Sequence, residues 1–151
     1  MALWEFLANY TDIASLAVRI AIGSLMMIHG LPKLSGPARP QMREGMKQIG
    51  IPGVLFDLVG VLEFVGGLFL LIGLLTRIVS ILFILEMIGN IILYNTVLWK
   101  APIPRGALEQ GFKQTHGYLT GWELDKVILA SSIVTLILGG GTFSIDTLLR
   151  I

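Results

Sequence analysis

Four long apolar runs occupy most of this chain and are separated by polar segments. A helix needs about 20 apolar residues to cross the hydrocarbon core of a bilayer. The runs therefore predict membrane-spanning helices at about residues 13–31, 53–75, 78–98 and 123–142. These spans and their loops use nearly all of the 151 residues, so we expect one transmembrane domain covering residues 1–151.

The segments between the runs indicate how the helices are arranged. Only Thr76 and Arg77 separate the second run from the third, and a connection this short makes its two helices antiparallel neighbours. We predict an all-α, integral membrane four-helix bundle built from two antiparallel helical hairpins. Thr11 or Asp12 is expected to cap the first helix, and Pro32 is expected to end it.

The polar segment after the first run contains an amphipathic pattern. On a helix, Met42, Met46 and Ile49 would lie on one side, opposite Arg43 and Lys47. An apolar face opposite a basic face is typical of a helix that lies in the membrane interface. We therefore expect a short interfacial helix between the first two spans.

Composition supports a membrane protein and excludes several kinds of site. Charged residues make up 14% of the chain, whereas about a quarter of a soluble domain is charged. A net charge of +1 gives no reason to expect nucleic acid as a partner. The chain has no cysteine, and its two histidines are His29 and His116, so we expect no iron–sulfur cluster and no intrinsic metal site.

The distribution of basic residues predicts the orientation in the membrane, because cytoplasmic loops carry an excess of lysine and arginine. One side of the predicted bundle has two basic residues, Arg77 and Arg150. The loops on the other side hold seven, namely Lys33, Arg39, Arg43, Lys47, Lys100, Arg105 and Lys113. We predict a multi-pass protein of the cell membrane with both large loops in the cytoplasm and both termini outside.

Three charged residues lie well inside the predicted spans, and they are the candidate catalytic residues: Arg19, Glu63 and Glu86. Charged side chains within a membrane are costly, face the bundle interior and mark functional sites. Counting about 1.5 Å per residue from the helix ends places all three in one layer of the outer half of the membrane. We therefore predict that Arg19 pairs with Glu63. Since one arginine then faces two buried acids, we also predict that one of the two glutamates, with Glu86 favoured over Glu63, holds a proton at neutral pH. The alternative is that the ion pair serves packing alone.

Further polar side chains gather at the predicted cytoplasmic end. His29 and Lys33 are one helical turn apart in the first span, Asp57 is near the start of the second, and Asn90 and Tyr94 are one turn apart in the third. An imidazole, an ammonium, a carboxylate and a phenol at one end of the bundle can bind a quinone head group or an anionic substrate. These five are candidate ligand-binding residues. Alternatively, they are ordinary residues of the membrane interface.

An ordered set of short motifs extends along almost the whole chain. The motifs are Arg19–Gly23, His29–Leu34, Gly50–Pro52, Glu63 with Gly66 and Gly67, Gly73–Arg77 and Gly139–Asp146. With this set the chain resembles the DoxX family of small four-helix membrane proteins. The resemblance implies a component of a membrane oxidoreductase, linked to quinones, sulfur oxidation or oxidative stress. Arg19, His29, Lys33, Glu63 and Arg77 match residues of the family pattern, whereas Glu86 is not part of it.

Three functions remain open at this point. The first is a small membrane subunit of a quinone-linked respiratory or sulfur-oxidising assembly, which holds quinone or lipid between its helices and anchors a redox partner. In this case other membrane subunits are its partners and quinone is its cofactor. The second is a structural or assembly subunit without an active site. The third is a transporter for a small anion or for protons.

Overall fold

The computed structural model describes residues 10–96 and 121–151, and all regular secondary structure in these ranges is helical. The predicted all-α class is therefore confirmed. The last residues of the predicted third span, and the loop after it, lie outside the described residues. The elements are α1 (Thr11–Leu34), α2 (Arg39–Gln48), α3 (Gly53–Val61), a π-helical turn (Leu62–Gly66), α4 (Gly67–Ile72), α5 (Thr76–Thr96), α6 (Gly121–Leu138) and α7 (Ile145–Leu149).

Three helices in the described part of the chain are long and apolar enough to cross a membrane: Thr11–Leu34, Gly53–Ile72 and Thr76–Leu93. The fourth long helix, α6, has 18 residues and carries three charged residues near its start. Large apolar side chains are exposed on the outside of these helices, as expected for a surface in contact with lipid. Examples are Ile20, Ile28, Val54, Leu58, Leu85, Ile92 and Ile137.

The first two spans are antiparallel and pack through glycines. A Cβ atom on Gly23 would lie 2.6 Å from the carbonyl oxygen of Gly67, and a Cβ atom on Gly30 would lie 2.9 Å from that of Gly60. Small residues on both helices allow the backbones to approach this closely, which is a common way of packing helices in membranes. These two contacts also fix the register between α1 and the second span.

The helices α5 and α6 form the other antiparallel pair. Ser80, near the start of α5, shares a hydrogen bond of 2.7 Å with the hydroxyl of Thr135, near the end of α6. Both side chains are fully buried. A buried hydroxyl pair of this kind satisfies polar groups that would otherwise face an apolar interior.

The C-terminal segment closes the end of the bundle where α1 and α5 begin. Ser144 caps α7 by accepting a hydrogen bond of 3.2 Å from the backbone N–H of Thr147. The carboxylate of Asp146 accepts hydrogen bonds from the backbone N–H groups of Leu75, at 2.6 Å, and Thr76, at 2.8 Å. A negative charge at a helix N-terminus satisfies free N–H groups and complements the helix dipole. Asp146 therefore caps α5.

Two expectations about α1 were wrong. The helix begins at Thr11 after Tyr10, and no side chain caps it. It also continues through Pro32 to Leu34, although proline has no N–H to donate within a helix. Continuing the helix carries Lys33 to a buried acid of the second span, Glu63. By contrast, the helix predicted between the first two spans is present as α2. Its place in the membrane interface stays a prediction.

Candidate functional site

The centre of the candidate site is an ion pair between Lys33 and Glu63. The ammonium Nζ of Lys33 lies 2.5 Å from Oε1 of Glu63. The side chain of Glu63 is 4% exposed and that of Lys33 is 18% exposed, so the pair is largely shielded from solvent. Side chains on a helix point toward its N-terminus, and Lys33 therefore reaches from the last turn of α1 back into the bundle.

Glu63 lies in the π-helical turn between α3 and α4. Such turns hold one more residue than an α-helical turn and occur frequently at functional sites. The opposite helix approaches this turn closely, because a Cβ atom on Gly30 would lie only 2.6 Å from the backbone nitrogen of Phe64. The backbone around Glu63 is thus both irregular and tightly packed, which fixes the position of its carboxyl group.

A second glutamate, Glu86 from α5, faces Glu63. The charged groups that act on its carboxyl are those of Glu63, Lys33 and Asp125. Both oxygens of Glu86 and Oε2 of Glu63 are buried without a hydrogen-bond partner among the described residues. A proton on one carboxyl would allow a hydrogen bond between the two, and a ligand or water could satisfy the remaining oxygens. Glu63 and Glu86 are called the carboxyl pair below.

An apolar groove of about 350 Å³ ends at Glu86, the member of the carboxyl pair that lines it. It lies between α2, α3 and α5, and its polar end is formed by Lys33, Glu86 and Asn90. Leu55 and Gly89 on its wall are exposed on the outside of the bundle, so the groove opens toward the lipid-facing surface. Its other walls are apolar and consist of Met46, Ile51, Phe56, Val59 and Leu93.

A second, polar cavity of about 160 Å³ lies between α1, α5 and α6. Lys33 and Asn90 line both this cavity and the groove. The cavity wall also carries polar and apolar side chains from these three helices and from the π-helical turn: Met26, His29, Glu63, Met87, Leu124, Asp125 and Ile128. The carboxyl pair therefore lies between an apolar groove on one side and a polar cavity on the other.

The structure brings together five of the eight predicted site residues: Glu63, Glu86, His29, Lys33 and Asn90. The backbone of Tyr94 belongs to α5, but its side chain lies outside the described residues.

Asp57 lies in a different environment, at the contact between α3 and α2. Its carboxylate accepts a hydrogen bond of 2.7 Å from Arg39 and one of 3.1 Å from Arg43, both on α2. Asp57 therefore holds α2 against the second span. It does not line the groove or the polar cavity.

Arg19 does not pair with Glu63, and this prediction was wrong. Its guanidinium is fully buried and donates to the carbonyl oxygens of Phe143, at 2.7 Å, and Leu70, at 3.4 Å. The glycine contacts place the Cβ atom of Glu63 beside Gly30, eleven residues or about 16 Å along α1 from Arg19.

The direction of side chains on a helix explains this error. Since they slant toward the N-terminus, Arg19 reaches away from Glu63, toward the C-terminal segment, while Lys33 reaches toward it. The cation of the first span at the carboxyl pair is thus Lys33. The predicted shared layer holds for Glu63 and Glu86 but not for Arg19.

Sequence reasoning missed Asp125, which lines the polar cavity from the beginning of α6. It lies close to two other charged residues, Glu123 and Lys126, and resembles the solvated start of a helix. A signal was nevertheless present, because Asp125 is two helical turns before the buried Ser132 and three residues before the buried Ile128. Residues at these intervals share one face of a helix.

Comparisons with known proteins identify the family. Residues 14–96 match the model of the DoxX family. Putative oxidoreductase CatD of Bacillus subtilis (strain 168) is 32% identical over 139 residues, which cover 89% of this chain and 86% of that protein. Uncharacterized membrane protein Rv3486 of Mycobacterium tuberculosis (strain ATCC 25618 / H37Rv) is 32% identical over 134 residues, 87% of this chain and 78% of the relative.

A third relative covers less of the chain. Inner membrane protein YqjF of Escherichia coli (strain K12) is 41% identical over 66 residues, 44% of this chain and 49% of that protein. No solved structure matches the chain. The family model covers more than half of the chain, and two relatives align along most of its length, so the chain belongs to the DoxX family of membrane proteins.

Proposed function

We propose that this protein is a small membrane subunit of a quinone-linked oxidoreductase, and that the groove binds the quinone ring. One observation carries the proposal: a groove with apolar walls ends at an ammonium, a carboxyl and an amide, from Lys33, Glu86 and Asn90. Binding pockets for small molecules are typically apolar with a few well-placed polar groups. The name of the relative CatD, a putative oxidoreductase, supports the same broad class.

The chemistry of a quinone fits the residues of the groove. A quinone is a flat ring with carbonyl oxygens, usually attached to an apolar tail. The ammonium of Lys33 and the amide of Asn90 can donate hydrogen bonds to a ring oxygen, while the side chains of Ile51, Phe56 and Val59 contact the ring faces. The volume of about 350 Å³ lies within the range of small-molecule pockets. The open rim allows the tail to extend into lipid.

The carboxyl pair gives this site a source of protons. Reduction of a quinone to a quinol consumes two electrons and two protons. Glu86 lies at the polar end of the groove, and its carboxyl can donate a proton to a ring oxygen. It then recovers a proton by way of Glu63, once one has reached that carboxylate. Lys33 stabilises the negative charge that remains on Glu63. The electrons come from a redox-active partner chain, since this sequence has no cysteine to hold an iron–sulfur cluster.

A substitution that fills the groove tests the proposal. A Cβ atom on Gly89 would meet no other atom within 4 Å, so Gly89→Leu places a side chain in the groove without displacing the protein. Gly45→Leu on α2 is a matched control, because Gly45 is equally unobstructed and does not line the groove. Both variants and the wild type are placed in lipid nanodiscs and titrated with decylubiquinone and a short-chain menaquinone.

We expect Gly89→Leu to weaken the binding of at least one of these quinones tenfold or more, and Gly45→Leu to leave it unchanged. Equal binding by all three proteins would contradict the assignment of the groove. Failure of the wild type to bind either quinone would contradict the proposed function itself and would favour a structural subunit.

A further inference from the structure

The acids at the polar end of the groove need a supply of protons that the groove cannot provide. The groove has apolar walls and opens toward lipid, where free protons and water are scarce. Each quinone that is reduced removes two protons from the site. A second connection, from the carboxyl pair to water, is therefore required if the proposed function is correct.

The polar cavity lies where such a connection is needed. It borders Glu63, and it lies on the side of α5 that faces α1 and α6, away from the groove wall formed by α2 and α3. Oε2 of Glu63 is buried without a hydrogen-bond partner among the described residues, and other polar side chains, among them Asn90 and Asp125, line the same cavity. A volume of about 160 Å³ accommodates several water molecules, since one needs about 10–15 Å³ of such space. Water in the cavity would satisfy this oxygen.

The titratable side chains around the cavity lie at different depths, from the surface to the carboxyl pair. His29 is exposed near the end of α1, and Asp125 is half-buried near the beginning of α6. Asp125 interacts electrostatically with His29, Lys33 and Glu63. It also acts on Glu86. These four residues are the titratable groups that the neighbouring helices direct toward Asp125 within the described ranges.

We propose that the polar cavity is a proton-uptake route and that Asp125 is its relay residue. This inference rests on the proposed function for the use that is made of the protons. In each transfer, the protonated carboxyl of Asp125 gives its proton through water to the carboxylate of Glu63 or Glu86. Asp125 then regains a proton from water at the end of the bundle that carries the loops after α1 and α5. Two such transfers supply one quinone reduction.

Exchange of carboxyl protons with solvent tests the route without any quinone. The protein in nanodiscs is moved from H₂O to D₂O while infrared difference spectra follow the carboxyl C=O stretch, and Glu86→Gln assigns the band. Asp125→Asn removes the relay. Glu123→Gln is the control, because Glu123 is an exposed acid two residues earlier on the same helix.

We expect exchange to be at least tenfold slower in Asp125→Asn and unchanged in Glu123→Gln. Leu124→Trp narrows the same cavity and keeps the charge of Asp125. If Asp125→Asn does not fold, we expect the same slower exchange in Leu124→Trp. Equal exchange rates in the wild type and the relay variants would overturn the inference, as would the absence of any exchanging carboxyl band in the wild type. Because no quinone is present, this result is independent of the quinone titration.

Discussion

Replacing Lys33 by methionine should reveal how strongly the structure depends on its buried ion pair. The change removes the ammonium 2.5 Å from Glu63 and leaves two neighbouring carboxyls without a cation. Removal of one partner from a buried pair typically costs about 3–5 kcal/mol. The protein can limit this loss by taking up a proton, which at pH 7 costs about 3.7 kcal/mol for a glutamate with an ordinary pKa of about 4.3. We therefore expect a loss of about 3–4 kcal/mol at pH 7.

The loss should also depend on pH in a defined direction. The folded variant binds one more proton than the folded wild type, while the unfolded acids of the two proteins bind equally many, so its stability rises relative to wild type as the pH falls. At pH 5, protonation of the glutamate costs only about 1 kcal/mol, and the loss should shrink to about that value.

Equilibrium unfolding in mixed micelles, by steric trapping or SDS titration, measures these differences. The free energy of unfolding of the double variant Lys33→Met/Glu63→Gln should be within about 1 kcal/mol of the wild-type value, because both partners of the ion pair are then neutral. Lys47→Met is the control, since Lys47 pairs with Glu44 on the exposed face of α2, where an ion pair contributes about 0–1 kcal/mol. A loss below about 1 kcal/mol for Lys33→Met at pH 7, or a loss that does not change with pH, would refute the reasoning.

Three further substitutions test other parts of the account. Glu86→Gln should slow quinone reduction by the assembled complex about 10²–10⁴-fold, because it removes the proton donor at the groove, whereas undiminished turnover would exclude that role. Asp146→Asn should lower the free energy of unfolding by about 1–3 kcal/mol, through weaker capping of α5, and leave quinone affinity unchanged in the titration described above. Gly67→Ala should cost about 1–3 kcal/mol in the same unfolding assay, because its methyl group would lie 2.6 Å from the carbonyl oxygen of Gly23, and wild-type stability would contradict the close packing.

The helices and their antiparallel order could be predicted from the sequence because both follow from local patterns. Length and hydrophobicity define a span, and the short connection at Thr76 makes the second and third spans antiparallel neighbours. The π-helical turn at Leu62–Gly66 could not be predicted in this way. It depends on how Glu63 and its neighbours pack against α1, and the composition of the segment contains no pattern specific to it.

The site was only partly predictable because depth alone does not determine which charges meet. Arg19 and Glu63 lie at similar distances from the helix ends in the sequence, yet the register of the glycine contacts separates them by about 16 Å along α1. The slant of helical side chains then decides the partner, and it directs Lys33 to Glu63. Asp125 was missed for the opposite reason, since it appeared to lie too near a helix end to belong to the bundle interior.

Photolabelling with an azido-quinone is the most direct test of the central claim, which is that the groove between α2, α3 and α5 holds a quinone ring at the carboxyl pair. The wild-type protein in nanodiscs is irradiated with the probe, and labelled peptides are identified by mass spectrometry. The account predicts labels concentrated in residues 51–59 and 86–93, and their loss in Gly89→Leu. Labels spread evenly over the lipid-facing surfaces, or confined to the opposite end around residues 73–78 and 138–147, would contradict it.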